Sequence, residues 1–234
     1  LIKNSKKICK KTIVSIFVNP AQFNSSKDFK KYPRDLNSDI KILKKLKIDF
    51  LFIPKVKDIY KNKRNKKIKL KNNEKILCAI YRKGHFEGVL DVMDRLLNLI
   101  HAKYVFMGKK DYQQIFLIKN FIKNKYKSNI IECNTVRDKN KIALSSRNFL
   151  LNERNYFKAC LIAKYFLRFK NLSKRHHKNK ILNKIKLKIE NKFNVKIEYL
   201  EFRNIKDLKI ANFKKKYKLF IAYYIDGIRL IDNY

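Results

Sequence analysis

Along the first half of the chain, short apolar runs alternate with stretches whose apolar residues recur every three or four positions. Residues 11–18 are apolar and β-branched and close on Asn19-Pro20, which predicts a buried strand. Residues 35–47 place Leu36, Ile40, Leu43 and Leu46 on one face of an amphipathic helix. A second strand is predicted over 49–53, stopped by Pro54, and a basic, Asn-containing loop over 61–71. Residues 76–81 fit a short strand or a short helix equally well. Residues 88–101 predict a helix with Val89, Val92, Met93, Leu96, Leu97 and Ile100 inward. A third strand over 103–107 ends at Gly108, a helix follows over 112–126, and a fourth strand over 129–133. Strands alternating with helices predict right-handed βαβ units and a parallel sheet. Ligands of such sheets sit at the carboxyl ends of the strands, where this chain has polar clusters after Val18 and after Met107.

The second half has another rhythm. Residues 153–172 and 176–193 read as helices, and 195–202 and 218–225 as strands. Asp226-Gly227 is a hairpin-turn signal leading into a strand over 228–232. This α+β order, after the α/β order of the first half, predicts two domains, 1–134 and 135–234.

Charge changes the picture less than its size suggests. Lys and Arg number 59 against 19 Asp and Glu, a net charge of +40, a balance that raises nucleic acid as a partner. A dedicated nucleic-acid binder concentrates its charge on one helix face or arm. Here Lys and Asn run through every segment beside Ile, Phe and Tyr, with 4 Gly, 3 Pro and no Trp, which reads as compositional drift toward AT-rich codons. Cys9, Cys78, Cys133 and Cys160 form no C-x-x-C pair, so no metal site or disulfide framework is expected, and reduced thiols in a cytoplasm fit best. No apolar run nears the ~18 residues of a membrane span, and the N-terminus has no signal-peptide pattern.

Three clusters carry candidate chemistry. In Gly108-Lys109-Lys110-Asp111-Tyr112-Gln113-Gln114, a glycine after a strand allows a sharp turn, and the next helix begins with free N–H groups, an anion site. Lys110 adds a point charge for a phosphate. Asp111 is either a helix cap or a water-mediated Mg²⁺ partner, and Gln114 lies one turn on, on the same face. In Asn19-Pro20-Ala21-Gln22, two neutral amides suit a hydroxyl or carboxylate, against a plain loop as the alternative. In Ile142-Ala143-Leu144-Ser145-Ser146-Arg147-Asn148, two hydroxyls and a guanidinium suit a polyphosphate, against a capped loop. His85, in Arg82-Lys83-Gly84-His85-Phe86-Glu87-Gly88, is an acid, a base, a positioning donor or simply structural. His176 and His177 read as a solvated helix surface rather than a metal site, and His101 as a polar helix end.

In this order the clusters resemble the pantoate–β-alanine ligases. The matching stretches are Ser15-Ile16-Phe17-Val18-Asn19-Pro20-Ala21-Gln22-Phe23, Tyr32-Pro33-Arg34, Gly84-His85-Phe86-Glu87-Gly88-Val89, 108–114, 143–148 and Arg229-Leu230-Ile231-Asp232-Asn233. The resemblance covers essentially the whole chain. It implies a Rossmann-like nucleotidyltransferase fold over 1–134 and a small α+β lid domain over 135–234. It implies a cytoplasmic homodimeric enzyme that uses ATP and Mg²⁺ to form pantoyl adenylate and then pantothenate. By the matching motifs, Gln22, Gln114 and Asn19 would meet pantoate, and Gln22 also β-alanine. Gly108, Lys109, Lys110, Asp111, Val136, Leu144, Ser145, Ser146 and Arg147 would line the ATP site, with Lys110, Ser145, Ser146 and Arg147 catalytic. A different nucleotidyltransferase of the same fold, or a basic nucleic-acid binder, are the alternatives.

Two departures stand out. Lys109 replaces the family's usual Glu, adding a cation near the phosphates. The family also opens with a strand and a Pro-Thr-Met-Gly…His-x-Gly-His segment, whereas Leu1-Ile2-Lys3-Asn4 resembles the helix just after it, and no His-x-Gly-His occurs here. The expectation is a chain that begins partway through a longer reading, with inner strands facing a gap, little stability and little or no turnover by itself.

Overall fold

A computed structural model describes residues 1–23, 26–61, 67–172 and 178–234, with the side chains of 26–28, 170–172 and 178–180 excepted. His176, His177, the expected start of the second long helix and the centre of the basic stretch at 61–71 lie outside the described residues. The chain divides into two compact units, Leu1–Cys133 and Asn134–Tyr234.

The first unit runs α1 (Ile2–Ile8), β1 (Ile13–Ser15), α2 (Ser26–Lys31), α3 (Leu36–Lys45), β2 (Phe50–Phe52), α4 (Val56–Ile59), α5 (Cys78–Tyr81), α6 (His85–Leu99), β3 (Tyr104–Gly108), α7 (Tyr112–Ile122) and β4 (Asn129–Cys133). The parallel pairing expected from the alternation is present, in two two-stranded sheets rather than one. β1 pairs with β2, with Val14 opposite Leu51, and β3 pairs with β4, with Phe106 opposite Ile131. Both β1 and β3 border a cleft of about 1160 Å³, lined in part by Ile13, Val14, Met93, Leu97, Tyr104 and Phe106. The cleft explains one difference from the sequence pattern. Met93, Leu96 and Ile100, expected inward, are only half-buried because they line it.

Local chemistry sets the helix boundaries. Asp35 caps α3 by accepting from the Ser38 N–H at 2.9 Å, and hydrogen bonding from the Ser38 side chain, then from that N–H, holds its carboxyl below the usual range. α6 begins at His85, three residues before the expected start, with Phe86 and Leu90 adding to its buried face. Its Asp94, only 1% exposed, accepts from Lys125 and from the Tyr126 hydroxyl, so a charge on the buried side is paired. The segment that fitted strand or helix is the single turn α5. It follows Leu77, buried with a positive φ of 49°, a backbone conformation costly for a bulky side chain. Gln113 of α7 braces that residue from both sides, accepting from the Cys78 N–H at 3.0 Å and donating to the Ile76 carbonyl at 2.6 Å.

α6 also receives the loop that follows β1. Gly88 lies in its first turn, where a Cβ would stand 2.3 Å from the Ala21 carbonyl oxygen. No side chain fits there unless one backbone moves away from the other.

The second unit runs α8 (Glu153–Leu172), α9 (Lys178–Phe193), β5 (Lys196–Asn204), β6 (Tyr217–Ile225) and β7 (Ile228–Asn233). Its strands form one antiparallel sheet with β6 in the middle. Phe166 and Ile162 of α8 and Ile189 of α9 share a core with Phe202, Leu219 and Ile221 of the sheet. Asp226 and Gly227 both adopt positive φ, 49° and 73°, as a two-residue turn of the primed type requires. Arg137 grips Asp232 of β7 through two hydrogen bonds of 2.7 and 2.8 Å and lies over the ring of Tyr234.

Two predictions follow from this packing. Backbone amides of Ile221 and Tyr223, in the middle strand, should exchange with solvent at least about 100-fold more slowly than those of Ile13–Ser15, in a three-residue strand beside a cleft. Equal protection by hydrogen-exchange mass spectrometry would contradict the description of the cleft. Gly88→Ala should lower stability by about 1–3 kcal/mol through overpacking against Ala21, read from thermal or denaturant unfolding; an unchanged midpoint would show that the two backbones separate at no cost.

Candidate functional site

The sequence after β1 turns back at once. Residues Pro20–Gln22 form a 3-10 turn with Pro at its start and Asn19 as its cap. Asn19 is 2% exposed, and its amide is drawn into the scaffold. Its Oδ1 accepts from the Ala21 N–H at 3.1 Å and the Tyr60 hydroxyl at 2.9 Å, while its Nδ2 donates to the Gly88 carbonyl at 3.2 Å. Asn19 therefore shapes the turn, whereas Gln22 at the turn's end is only half-buried. The Gln22 carbonyl is held from the other side, 3.1 Å from Nη2 of Arg82 and 2.7 Å from Nδ1 of His85. Of the roles open to His85, positioning is the one this geometry supports. The pattern had pointed to neither Tyr60 nor Arg82 as part of this arrangement. Arg82 stands in the same polar cluster as His85, so proximity was a usable signal; Tyr60 offered none.

The second turn lies at the end of β3. Lys109–Asp111 form a 3-10 turn that leads directly into α7. Gly108 corrects one expectation. Its φ of −79° is open to any residue, so the turn does not depend on a glycine. What its missing side chain leaves is open space, with nothing within 4 Å of where a Cβ would be. Asp111 corrects another. It occupies the cap position of α7 without a capping hydrogen bond, and its Oδ1 instead takes the Lys110 ammonium at 2.9 Å. Lys109, Lys110 and Gln114 are half-buried. Beside them, burial and then the nearby Glu132 carboxylate push the Tyr112 phenol up to about 12. α6 packs against both the Pro20–Gln22 turn and α7, which makes it the shared support of the Gln22 and Gln114 segments.

The second unit carries the remaining expected residues on one loop. The loop is pinned at its base by an antiparallel bridge between Arg137 and Ala143 and by the Leu144 N–H donating to the Val136 carbonyl at 3.0 Å. Val136 and Leu144 are both exposed, at 63% and 53%. Ser145 caps the 3-10 turn Ser146–Leu150, its Oγ accepting from the Arg147 N–H at 3.3 Å, so the capped-loop reading describes its local role. Ser146 is exposed and Arg147 half-buried. Among the described residues, no group of three or more His, Cys, Asp or Glu is arranged to hold a metal ion.

Comparison with known proteins shows the family. The family model for Pantoate-beta-alanine ligase matches residues 1–234. The chain is 38% identical over 237 aligned positions to the pantothenate synthetase of Campylobacter hominis, covering all of this chain and 86% of that protein. It is 39% identical over 228 positions to the pantothenate synthetase of Leptospira interrogans, covering 95% of this chain and 80% of that one. Among solved structures, the pantoate-beta-alanine ligase of Francisella tularensis, complexed with beta-gamma ATP and beta-alanine, superposes with a TM-score of 0.85 at 36% identity, over 100% of this chain and 82% of that chain. The enzyme of Thermus thermophilus superposes with a TM-score of 0.91 at 25% identity, over 100% and 86%. A family match across the whole sequence, the same nucleotidyltransferase-like fold, and relatives at this level of identity make the chain a member of the pantoate-beta-alanine ligase family.

Proposed function

We propose that this chain condenses pantoate with β-alanine to give pantothenate, at the expense of ATP and through pantoyl adenylate. The pantoate carboxylate oxygen attacks the α-phosphorus, and the bond to the departing pyrophosphate breaks. The β-alanine nitrogen then attacks the acyl carbon, gives up a proton, and AMP leaves. The observation that carries this reading is the pair of strand-end turns in the first unit, one presenting Gln22 and the other presenting Lys110, Asp111 and Gln114, on a family-wide match.

Neutral amides suit a small hydroxy acid because each both donates and accepts hydrogen bonds. Gln22 and Gln114 take that role toward pantoate, with Gln22 also beside β-alanine. Asn19 contributes by setting the turn, consistent with its burial. Gly108 leaves room for a nucleotide to approach the backbone, and Lys109, Lys110 and Asp111 line that approach. The loop of the second unit offers a further set of phosphate-seeking groups in Ser145, Ser146 and Arg147, with Val136 and Leu144 as apolar surface for a base. Lys110, Ser145, Ser146 and Arg147 are assigned to stabilise charge as the phosphates separate. Mg²⁺ fits this donor set. It keeps most of its waters and takes one or two carboxylates plus substrate phosphates, so the half-exposed Asp111 is a sufficient protein partner. When bound with ATP it would neutralise phosphate charge. A cytoplasmic homodimer completes the proposal; the four free cysteines agree with a reducing compartment. Among the described residues, no helix is long and apolar enough to cross a membrane.

Preceded by the strand and His-x-Gly-His segment of a family member, and incubated with pantoate, β-alanine and MgATP, the protein should release AMP and pyrophosphate in equal amounts, only when pantoate is present. Release that ignores pantoate but follows another acid in a substrate panel would assign a different adenylating reaction; no release at all would remove the proposal for this chain. Gln22→Ala and Gln114→Ala should each weaken pantoate use by about 10- to 100-fold, the equivalent of about 1–3 kcal/mol for a lost polar contact, with the KM for ATP little changed. Equal losses toward both substrates would take the two amides out of pantoate recognition.

A further inference from the structure

The contact between Arg82, His85 and Gln22 fixes the position of a proton. Nδ1 of His85 lies 2.7 Å from the Gln22 carbonyl oxygen, which can only accept, so Nδ1 carries hydrogen. Nε2 of the same ring lies 2.9 Å from Nη1 of Arg82, which can only donate, so Nε2 presents its lone pair. One form of the ring meets both demands, the neutral imidazole protonated at Nδ1. An imidazolium would set an N–H against a guanidinium N–H, opposing two donors and two positive charges.

The rest of the environment gives this arrangement a purpose. Nη2 of Arg82 donates to the same Gln22 carbonyl at 3.1 Å, so that oxygen takes one charged and one neutral donor. The Gln22 N–H donates to the Asn19 carbonyl at 3.1 Å. Both main-chain polar groups of Gln22 are therefore engaged, and the direction of its side chain is set by a backbone held at both ends. Three residues on, Gly88 provides the space in which Ala21 passes and the carbonyl that Asn19 grips.

We infer that His85 is a positioning residue for Gln22, locked by Arg82 as the neutral Nδ1–H tautomer. This rests on the reading of Gln22 as a pantoate-binding residue. His85 is by the same geometry not the proton acceptor in the amine step, because its basic nitrogen is turned to a guanidinium.

Two substitutions separate the ring's two nitrogens. An asparagine amide reaches about where Nδ1 stands, and a glutamine amide about where Nε2 stands. His85→Asn should keep the bond to Gln22 and bind pantoate within about threefold of the unsubstituted protein, whereas His85→Gln should bind it about tenfold more weakly, with ATP affinity unchanged in both. Calorimetric titration reads the affinities, and melting temperatures of the two variants control for folding. In parallel, ¹⁵N-histidine NMR of the unsubstituted protein at neutral pH should show His85 protonated at Nδ1 and bare at Nε2. A ring protonated at Nε2 alone or at both nitrogens would overturn the inference whatever the protein's activity. Equal losses in both variants, or a loss toward ATP as large as toward pantoate, would reduce His85 to a general structural role and overturn it too. If the unsubstituted protein bound no pantoate, the functional reading would fall and take the substrate half of the inference with it, while the NMR spectrum would still decide the lock itself.

Discussion

The first unit is organised by the approach of one backbone to another at Gly88. The Ala21 carbonyl comes so near the first turn of α6 that a Cβ at Gly88 would be 2.3 Å from it. Because the two backbones meet there, Asn19 can reach the Gly88 carbonyl, Tyr60 can reach Asn19, and Arg82 and His85 can reach the carbonyl of Gln22. Each of these bonds is ordinary alone. Together they hold the turn after β1 from both sides, which reduces the ordering entropy that a side chain on it would lose on binding a ligand. α6 supports α7 as well, so one helix sets the base for both strand-end turns.

The charge distribution obeys a second constraint. With 59 basic side chains and 19 acidic ones, carboxylates are the scarce partner. The structure places many of them at junctions. Asp94 takes Lys125 and Tyr126, Asp232 takes Arg137, Glu198 takes Arg229, and Glu201 takes Arg203. Both members of the Arg229–Glu198 pair are 8% exposed, so removing either would strand a charge in a poorly solvated place. Most of the remaining lysines among the described residues lie on the surface in contact with water.

The same scarcity bears on the proposed chemistry. A strongly cationic protein attracts anionic substrates from a distance, but attraction by itself does not choose among them. Discrimination is left to groups with directional bonds. Gln22 and Gln114 supply neutral donors and acceptors, while Asp111, paired with Lys110 at 2.9 Å, keeps one negative charge in an otherwise positive turn. Lys109 adds to that positive field.

Much of this was legible in the sequence. The alternation of short apolar runs and helical stripes marked β1 to β4 and the longer helices α3, α6 and α7, but not the short α2 and α4; Asp226-Gly227 marked the β6–β7 hairpin; and ordered polar motifs at strand ends pointed to the family, because phosphate-seeking and amide-bearing side chains carry their chemistry wherever they fold. Local pattern does not encode which strands become neighbours. That β1 and β3 belong to separate two-stranded sheets beside a cleft, leaving Met93 and Ile100 half-buried, depends on pairing across distant segments. Nor does it encode partners. Asp111, at the cap position of α7, pairs with Lys110, Asn19 is bound into its own turn and to Gly88, and Gln113, beside the motif's Gln114, braces the strained Leu77. The order of residues determined which groups were available; only the three-dimensional approach of α6 to the turn after β1 decided which of them are drawn in to hold the backbone and which stay open, because a hydrogen bond is set by distance and direction that no spacing along the chain specifies.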